Sequence, residues 1–365
     1  MSARICLFES ANPFWLHAIF LSKLYLILQK IRGKNSLSPI KQAMQLQQII
    51  PLIAFILATY SVIGNDVIQT LGTFLTSNHK KKWWILWLYA ASILTIVIVY
   101  GWIVNQGDVS YGRLDMIPLP ENMAFWYIIP PLVLIILTRF GLPVSTTFMI
   151  LSVFSSQAVI EKMIIKSILG YAVAFVFAFG IYILIAKRFE SKESISRSEK
   201  EKAKKGWLVA QWLSTGLLWS QWLVQDFANL YVYLPRQLTL TELITSLIII
   251  LVLMAHLFKS RGGKIQEIVH SKANTQHIRS ATFIDLTYAF VLFLFTNLSN
   301  VPMSTTWVFI GILAGREIAI SYRLNKNEIE KSRKQIFRDL YKVNIGLVVS
   351  ILLAYAIGML NLMDA

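Results

Sequence analysis

Apolar runs long enough to cross a bilayer recur along the whole chain, and short charged segments separate them. A helix needs about 20 predominantly apolar residues to span the hydrocarbon core. On that criterion the pattern predicts spans near 45–76, 83–104, 123–138, 141–158, 163–186, 207–234, 241–258, 281–297, 299–321 and 343–360. The fold class expected is therefore an all-α integral membrane protein. Ten crossings alternate the loops between two sides, and charge tests the alternation. "NHKKK" (78–82), Arg139, and the segments 187–205, 259–279 and 322–342 fall on one side, each net positive. The segment 105–122, which is net acidic, falls on the other with 161–162 and 235–237. The positive-inside rule puts the first set in the cytoplasm and both ends of the ten-span core outside.

Composition agrees. The 365 residues are 56% hydrophobic and 15% charged, where a soluble domain carries about 25% charged residues. The net charge of +16 sits in the short segments between spans, which suits anionic membrane lipid and not nucleic acid. Cys6 is the single cysteine, so no intrachain disulfide or cysteine metal cluster is expected. The five histidines (His17, His79, His256, His270 and His277) lack ligand spacing. The early apolar stretch 13–31 is interrupted by His17, Lys23 and Lys30 and does not read as a cleavable signal. Residues 1–44 form a basic extension of open role: an extra span, a surface helix or a wrongly assigned start.

Two motifs recur about 160 residues apart, in the same order. "NDVIQ" (65–69) is echoed by "QDFAN" (225–229), and "GLPVSTT" (141–147) by "NVPMSTT" (300–306). With five spans on each side of a cytoplasmic linker, 187–206, the chain reads as two inverted repeats, 45–186 and 207–365. Interrupted helices meeting at the midplane are the signature of a secondary transporter.

The chemistry of the motifs is complementary. A proline suits the first turn of a helix, so Pro143 and Pro302 would open half-helices. Ser145, Thr146 and Thr147, with Ser304, Thr305 and Thr306, would then add hydroxyls to backbone N–H groups aimed at a tetrahedral anion. The plain alternative is hydroxyls bonded back to their own helices. Asn65, Asp66 and Gln69, with Gln225, Asp226 and Asn229, offer hard oxygen ligands to a small cation, sodium above all at Asp66 and Asp226, or a carboxylate to a proton. Two carboxylates beside an anion repel it unless such cations bind between them, which couples the two.

These paired signatures resemble those of the inorganic phosphate transporter (PiT) family over roughly residues 45–360. The resemblance implies an inverted duplication, orthophosphate as substrate, sodium or a proton as coupling ion and no cofactor. It implies a site of Asn65, Asp66, Gln69, Ser145, Thr146 and Thr147 with Gln225, Asp226, Asn229, Ser304, Thr305 and Thr306. Gln69 and Gln225 stand where the family has asparagine, and Ile63 and Leu223 replace its leading glycines. Phe148 and Trp307 stand where histidine is common, and 83–104 has no acidic residue where the family often has a glutamate. Longer amides and bulkier neighbours would reshape the site.

The expected function is cation-coupled phosphate symport across the cell membrane, with a homodimer possible. The alternatives are a sulfate permease on the same scaffold and a membrane protein of this fold without transport activity. A phosphotransferase or hydrolase lacks a nucleophile and base near the motifs, so no enzyme is expected. Two further expectations concern single features. Asp285, inside span 281–297, reads either as a gate or proton residue or as a side chain snorkelling to the interface. The segment 191–205, low in apolar residues, reads as a flexible linker.

Overall fold

The computed structural model describes residues 39–140, 142, 144–189, 197–260, 278–324 and 326–364. The chain divides into two compact units, Met1–Gln48 and Ile49–Ala365. Of the N-terminal extension 1–44 only 39–44 are described, as the start of a helix, and its role lies outside the described residues. All else concerns the second unit.

Among the described residues six helices are long and apolar enough to cross a membrane, and the protein is a multi-pass membrane protein. The first motif lies in a nearly continuous rod: α1 (Pro39–Val62), a π-turn (Ile63–Val67) and α2 (Ile68–Ser77). Asn65 and Asp66 are thus wound into a turn with i→i+5 bonding, an irregularity that clusters at functional sites. α3 (Trp83–Val104) follows, with no charged residue in its 22.

The segments expected as spans 123–138 and 141–158 do not cross separately. A 3₁₀ turn (Phe125–Ile128) leads into α4 (Ile129–Arg139), and the return limb is only a π-turn (Thr147–Leu151) running into turns. Four and eleven residues rise together about 25 Å, short of the roughly 30 Å hydrocarbon core. The two limbs meet again where they began: the rings of Tyr127 and Phe154 are 4.8 Å apart, and Phe154 meets Tyr233 at 5.3 Å. This is a re-entrant hairpin. Arg139, expected in a loop on the positive side, is instead near its tip, hydrogen-bonded to Tyr60 of α1. Hydropathy counts apolar residues and cannot tell a folded-back pair from two crossings.

α5 (Gln157–Phe189) then runs the full depth, followed by α6 (Arg197–Asp226), α7 (Ala228–Tyr231), α8 (Leu240–Lys259), α9 (Ile278–Leu298), α10 (Thr305–Leu324) and α11 (Lys326–Asp364). α6 stops at Asp226, one residue before the single-turn α7, so the second motif also interrupts its helix.

α9 and α10 form a second hairpin over the spans expected at 281–297 and 299–321, and α9 is itself one of the six helices long and apolar enough to cross. Its base lies level with Tyr182 of α5, whose hydroxyl bonds Ser280 (3.2 Å to the carbonyl) and whose ring carries Arg316 at 5.5 Å. Its tip lies level with Lys166, whose Nζ donates to the carbonyls of Ser299 (2.9 Å) and Val301 (2.6 Å). Those levels are sixteen residues, about 24 Å, apart on α5. The tip therefore stops about 14 Å inside the start of α5. The hairpins open toward opposite ends of the bundle.

Arg113, from the loop after α3, reaches the same tip and donates to the carbonyls of Ser299 (2.5 Å) and Thr296 (3.0 Å). Burial pulls its guanidinium down to about 10, so it stays charged at neutral pH. The Arg113 cation and the Lys166 amine thus face the carbonyl end of α9, where the helix dipole is negative.

Two charged stretches, 191–205 expected as a flexible linker and 322–342 expected as helix-like, are helical where described. The part 197–205 of the stretch 191–205 extends α6, and the segment 322–342 is carried into the 39-residue α11 from Lys326. Both are rich in Glu, Lys and Arg, good helix formers, and Glu330 pairs with Lys334 one turn on at 2.9 Å.

α10 packs on α5 through glycine. A Cβ on Gly311 would lie 2.5 Å from the Tyr171 carbonyl oxygen, and one on Gly315 would lie 2.2 Å from that of Phe175. Backbone leaves no room to yield. Gly315→Ala should therefore force the helices apart and lower the thermal midpoint of the purified protein. Gly180→Ala, on the same α5 with nothing within 4 Å, should raise stability by up to about 1 kcal/mol. Equal midpoints for the two variants would contradict this packing.

Candidate functional site at the hairpin tips

Both motif helices and both hairpins converge on one buried polar cluster. Asp66 and Asp226 are 1% and 0% exposed, and among the described residues neither is ion-paired. Their compensation comes from neutral donors. Asp66 accepts from the Thr146 hydroxyl and from Asn65 Nδ2 at 2.8 Å. Asp226 accepts from the hydroxyls of Thr305 and Thr147 (3.2 Å) and from Asn229 Nδ2 at 3.4 Å. The pairing Asp66–Thr146 in one half matches Asp226–Thr305 in the other.

The halves are also crossed. Asn229 Nδ2, of the second motif, donates to Thr146 Oγ1 (3.0 Å) and Thr147 Oγ1 (3.4 Å) of the first hairpin. Thr147 bonds the Met303 carbonyl at 3.2 Å, while Thr306 bonds the Val144 carbonyl at 3.4 Å. Asn65 Nδ2 reaches that same Val144 carbonyl at 2.7 Å, and Gln69 Nε2 holds Asn65 Oδ1 at 3.2 Å. A continuous chain of hydrogen bonds therefore runs Asp66–Thr146–Asn229–Asp226–Thr305.

The serines of the motifs do something else. Ser145 Oγ accepts the Phe148 N–H and Ser304 Oγ the Trp307 N–H, each at 3.3 Å. This is the N-cap geometry, three residues ahead. α10 accordingly starts at Thr305, past Pro302, because a serine satisfies the first turn better than the proline can. In the first hairpin the wound segment is only about one turn long, so a full half-helix does not form there. Pro143 lies outside the described residues.

Of the twelve residues the sequence singles out, eleven are joined by these bonds or cap the turns that carry them. Gln225 is 1% exposed, yet neither its amide nitrogen nor its oxygen has a partner, and Asn229 Oδ1 has none either. Amide and carboxylate oxygens of this kind suit a hard cation. No group of three His, Cys, Asp or Glu that could hold a metal is assembled among the described residues.

Several participants carry no sequence signal of their own. Val144 and Met303 act through backbone carbonyls, which any residue supplies. Ser167 accepts the Ser304 N–H at 2.9 Å, and Tyr288 donates to the Thr305 carbonyl at 2.9 Å. Asp285 proves fully buried and does not reach an interface.

Helical secondary transporters with discontinuous helices are one class built around hairpins and a buried polar centre. Within it, the structure is similar to a solved one described as the sodium-dependent phosphate transporter. That similarity covers 86% of this chain and 99% of the other, with 16% identity and a TM-score of 0.55. No family model and no curated protein sequence matches the chain.

The shared network has a thermodynamic signature. Removing the Thr146 hydroxyl (Thr146→Val) and neutralising its partner (Asp66→Asn) should be non-additive. The coupling expected for a hydrogen bond to a charged group is about 1.5–3 kcal/mol, read from unfolding of the two single variants and the double. Additive effects would mean the two side chains do not act together.

Proposed function

We propose that the chain is a cation-coupled symporter of inorganic phosphate. The observation that supports this best is the hydrogen-bonded chain linking Asp66 to Asp226 through Thr146 and Asn229. Two buried carboxylates joined by neutral groups need positive charge to be stable in an apolar bundle. Sodium, held by Asp66 and Asp226 with the amide oxygens of Gln225 and Asn229, supplies it. Asn65 and Gln69 position the first carboxylate. Once cations occupy the cluster, an anion is drawn to the same place, and neither stays without the other. That mutual dependence is the coupling.

The substrate end of the site is formed by the turns that Ser145 and Ser304 cap, with Thr146, Thr147, Thr305 and Thr306. Phosphate fits better than sulfate because the hydroxyl hydrogens here are already donated to carboxylates and carbonyls. The carboxylates still act as acceptors, which a protonated phosphate satisfies and fully ionised sulfate does not. In this reading the halves 45–186 and 207–365 insert with opposite orientation, joined by the cytoplasmic linker 187–206. The opposite opening of the two hairpins supports it.

Uptake of labelled phosphate into proteoliposomes should require an inward sodium gradient and resist an excess of sulfate. Asp66→Asn and Asp226→Asn should each abolish accumulation while the protein still inserts. Sulfate uptake in place of phosphate, or accumulation by either variant at the wild-type level, would refute the proposal. Orientation is checked in a Cys6→Ser background. An impermeant thiol reagent applied outside intact cells should label Glu121→Cys and leave Lys205→Cys untouched; the reverse result would invert the topology.

A further inference from the structure

Asp285 lies about two turns into α9, 0% exposed, and belongs to neither motif. Its carboxylate is held on both sides. Thr73 Oγ1 donates to Oδ1 at 2.6 Å and Thr215 Oγ1 to Oδ2 at 2.5 Å. Thr73 lies seven residues after Asp66 and Thr215 eleven before Asp226, so the two hydroxyls come from the motif-bearing helices of both halves. Along those helices the separations are about 10 and 16 Å, which makes this a second polar site, displaced from the centre toward the open end of the second hairpin.

The other titratable groups turned toward Asp285 are Tyr89 of α3 and Tyr182 of α5. Tyr89 donates to the Trp212 carbonyl, and Tyr182 is engaged with Ser280. Arg316 of α10 sits over the Tyr182 ring, and among the described residues no cationic side chain pairs with Asp285 itself. A wholly buried carboxylate with two neutral donors is poorly compensated while ionised, so the site is built to take up a positive charge.

We propose that Asp285, clamped between Thr73 and Thr215, is a proton-binding site separate from the central cluster. A hard metal cation takes about six or more oxygen ligands, and the contacts here supply one carboxylate and two hydroxyls, with none of the amide oxygens of the centre. A proton needs only one acceptor. When it arrives from the aqueous phase at the hairpin's open end, the new O–H donates to one threonine oxygen. That threonine turns its own hydrogen to the carbonyl four residues back, as Thr59 already does to Phe55 at 2.7 Å in the same rod. Every polar atom is satisfied in both states. The exchange replaces a charged hydrogen bond by a neutral one between α9 and a motif helix, so protonation loosens the second hairpin from that helix.

The site is testable without substrate, so its failure is distinct from that of phosphate transport. In infrared difference spectra of the purified full chain in lipid, titrated in sodium-free buffer, one protonated-carboxyl band present in wild type should be missing in Asp285→Asn. Thr215→Val and Thr73→Val, which keep the carboxylate, each remove a donor that favours the ionised form. Each should move the midpoint of that band upward by about one to two pH units. A spectrum unchanged in Asp285→Asn overturns the proposal. So does an unmoved midpoint in both valine variants, or a band abolished by sodium at constant pH, which would assign the site to a metal cation.

Discussion

Two carboxylates buried where water cannot reach them set the terms for the rest of this structure. In a soluble protein such groups would turn outward or pair with arginine. Here Asp66 and Asp226 keep their acceptor capacity facing inward and are steadied only by hydroxyls and amides. Neutral donors can hold a carboxylate in place while leaving most of its charge unbalanced. A fixed lysine or arginine would cancel the charge for good and leave nothing for a mobile ion to do. Of the basic side chains buried among the described residues, Arg113 and Lys166 are spent on the carbonyl end of α9 at the hairpin tip and Arg316 lies over the Tyr182 ring.

The backbone irregularities follow from that requirement. A regular helix uses its own amides and carbonyls and presents side chains at fixed spacing. The π-turn at Ile63–Val67 and the break after Asp226 re-aim the two aspartates, and the hairpin tips bring short hydroxyls close enough to reach them. Non-helical backbone at this depth is tolerated because other protein surrounds it. Val144 illustrates the economy: one carbonyl receives both Asn65 from the first motif helix and Thr306 from the opposite hairpin.

Much of this was legible in the sequence, and what was not has a common cause. The repeated Asp and Ser-Thr-Thr motifs identify the residues that meet, because burying such groups in apolar runs needs partners. The number of crossings was not legible. Residues 123–158 are apolar enough for two spans, yet Tyr127 and Phe154 stand side by side. The start of the second hairpin's return helix was misplaced by Pro302, since Ser304 does the capping. Asp285 stood out as a polar residue in a span, but its partners Thr73 and Thr215 are ordinary threonines. Only proximity gives them meaning.

The glycine contact between α5 and α10 bears on how such a chain is made. α5 comes from the first half of the sequence, and its groove, where Tyr171 and Phe175 expose backbone carbonyls, is filled by Gly311 and Gly315 more than a hundred residues later. Asp66 likewise depends for its environment on Asn229, reached through Thr146. When the first half leaves the ribosome, its central helix has no mate and its buried acid has an unfinished shell. The two halves are thus not modules that fold in turn. Maturation has to wait for the last third of the polypeptide, and until then the early spans are exposed to degradation and dependent on whatever holds them in the insertion machinery.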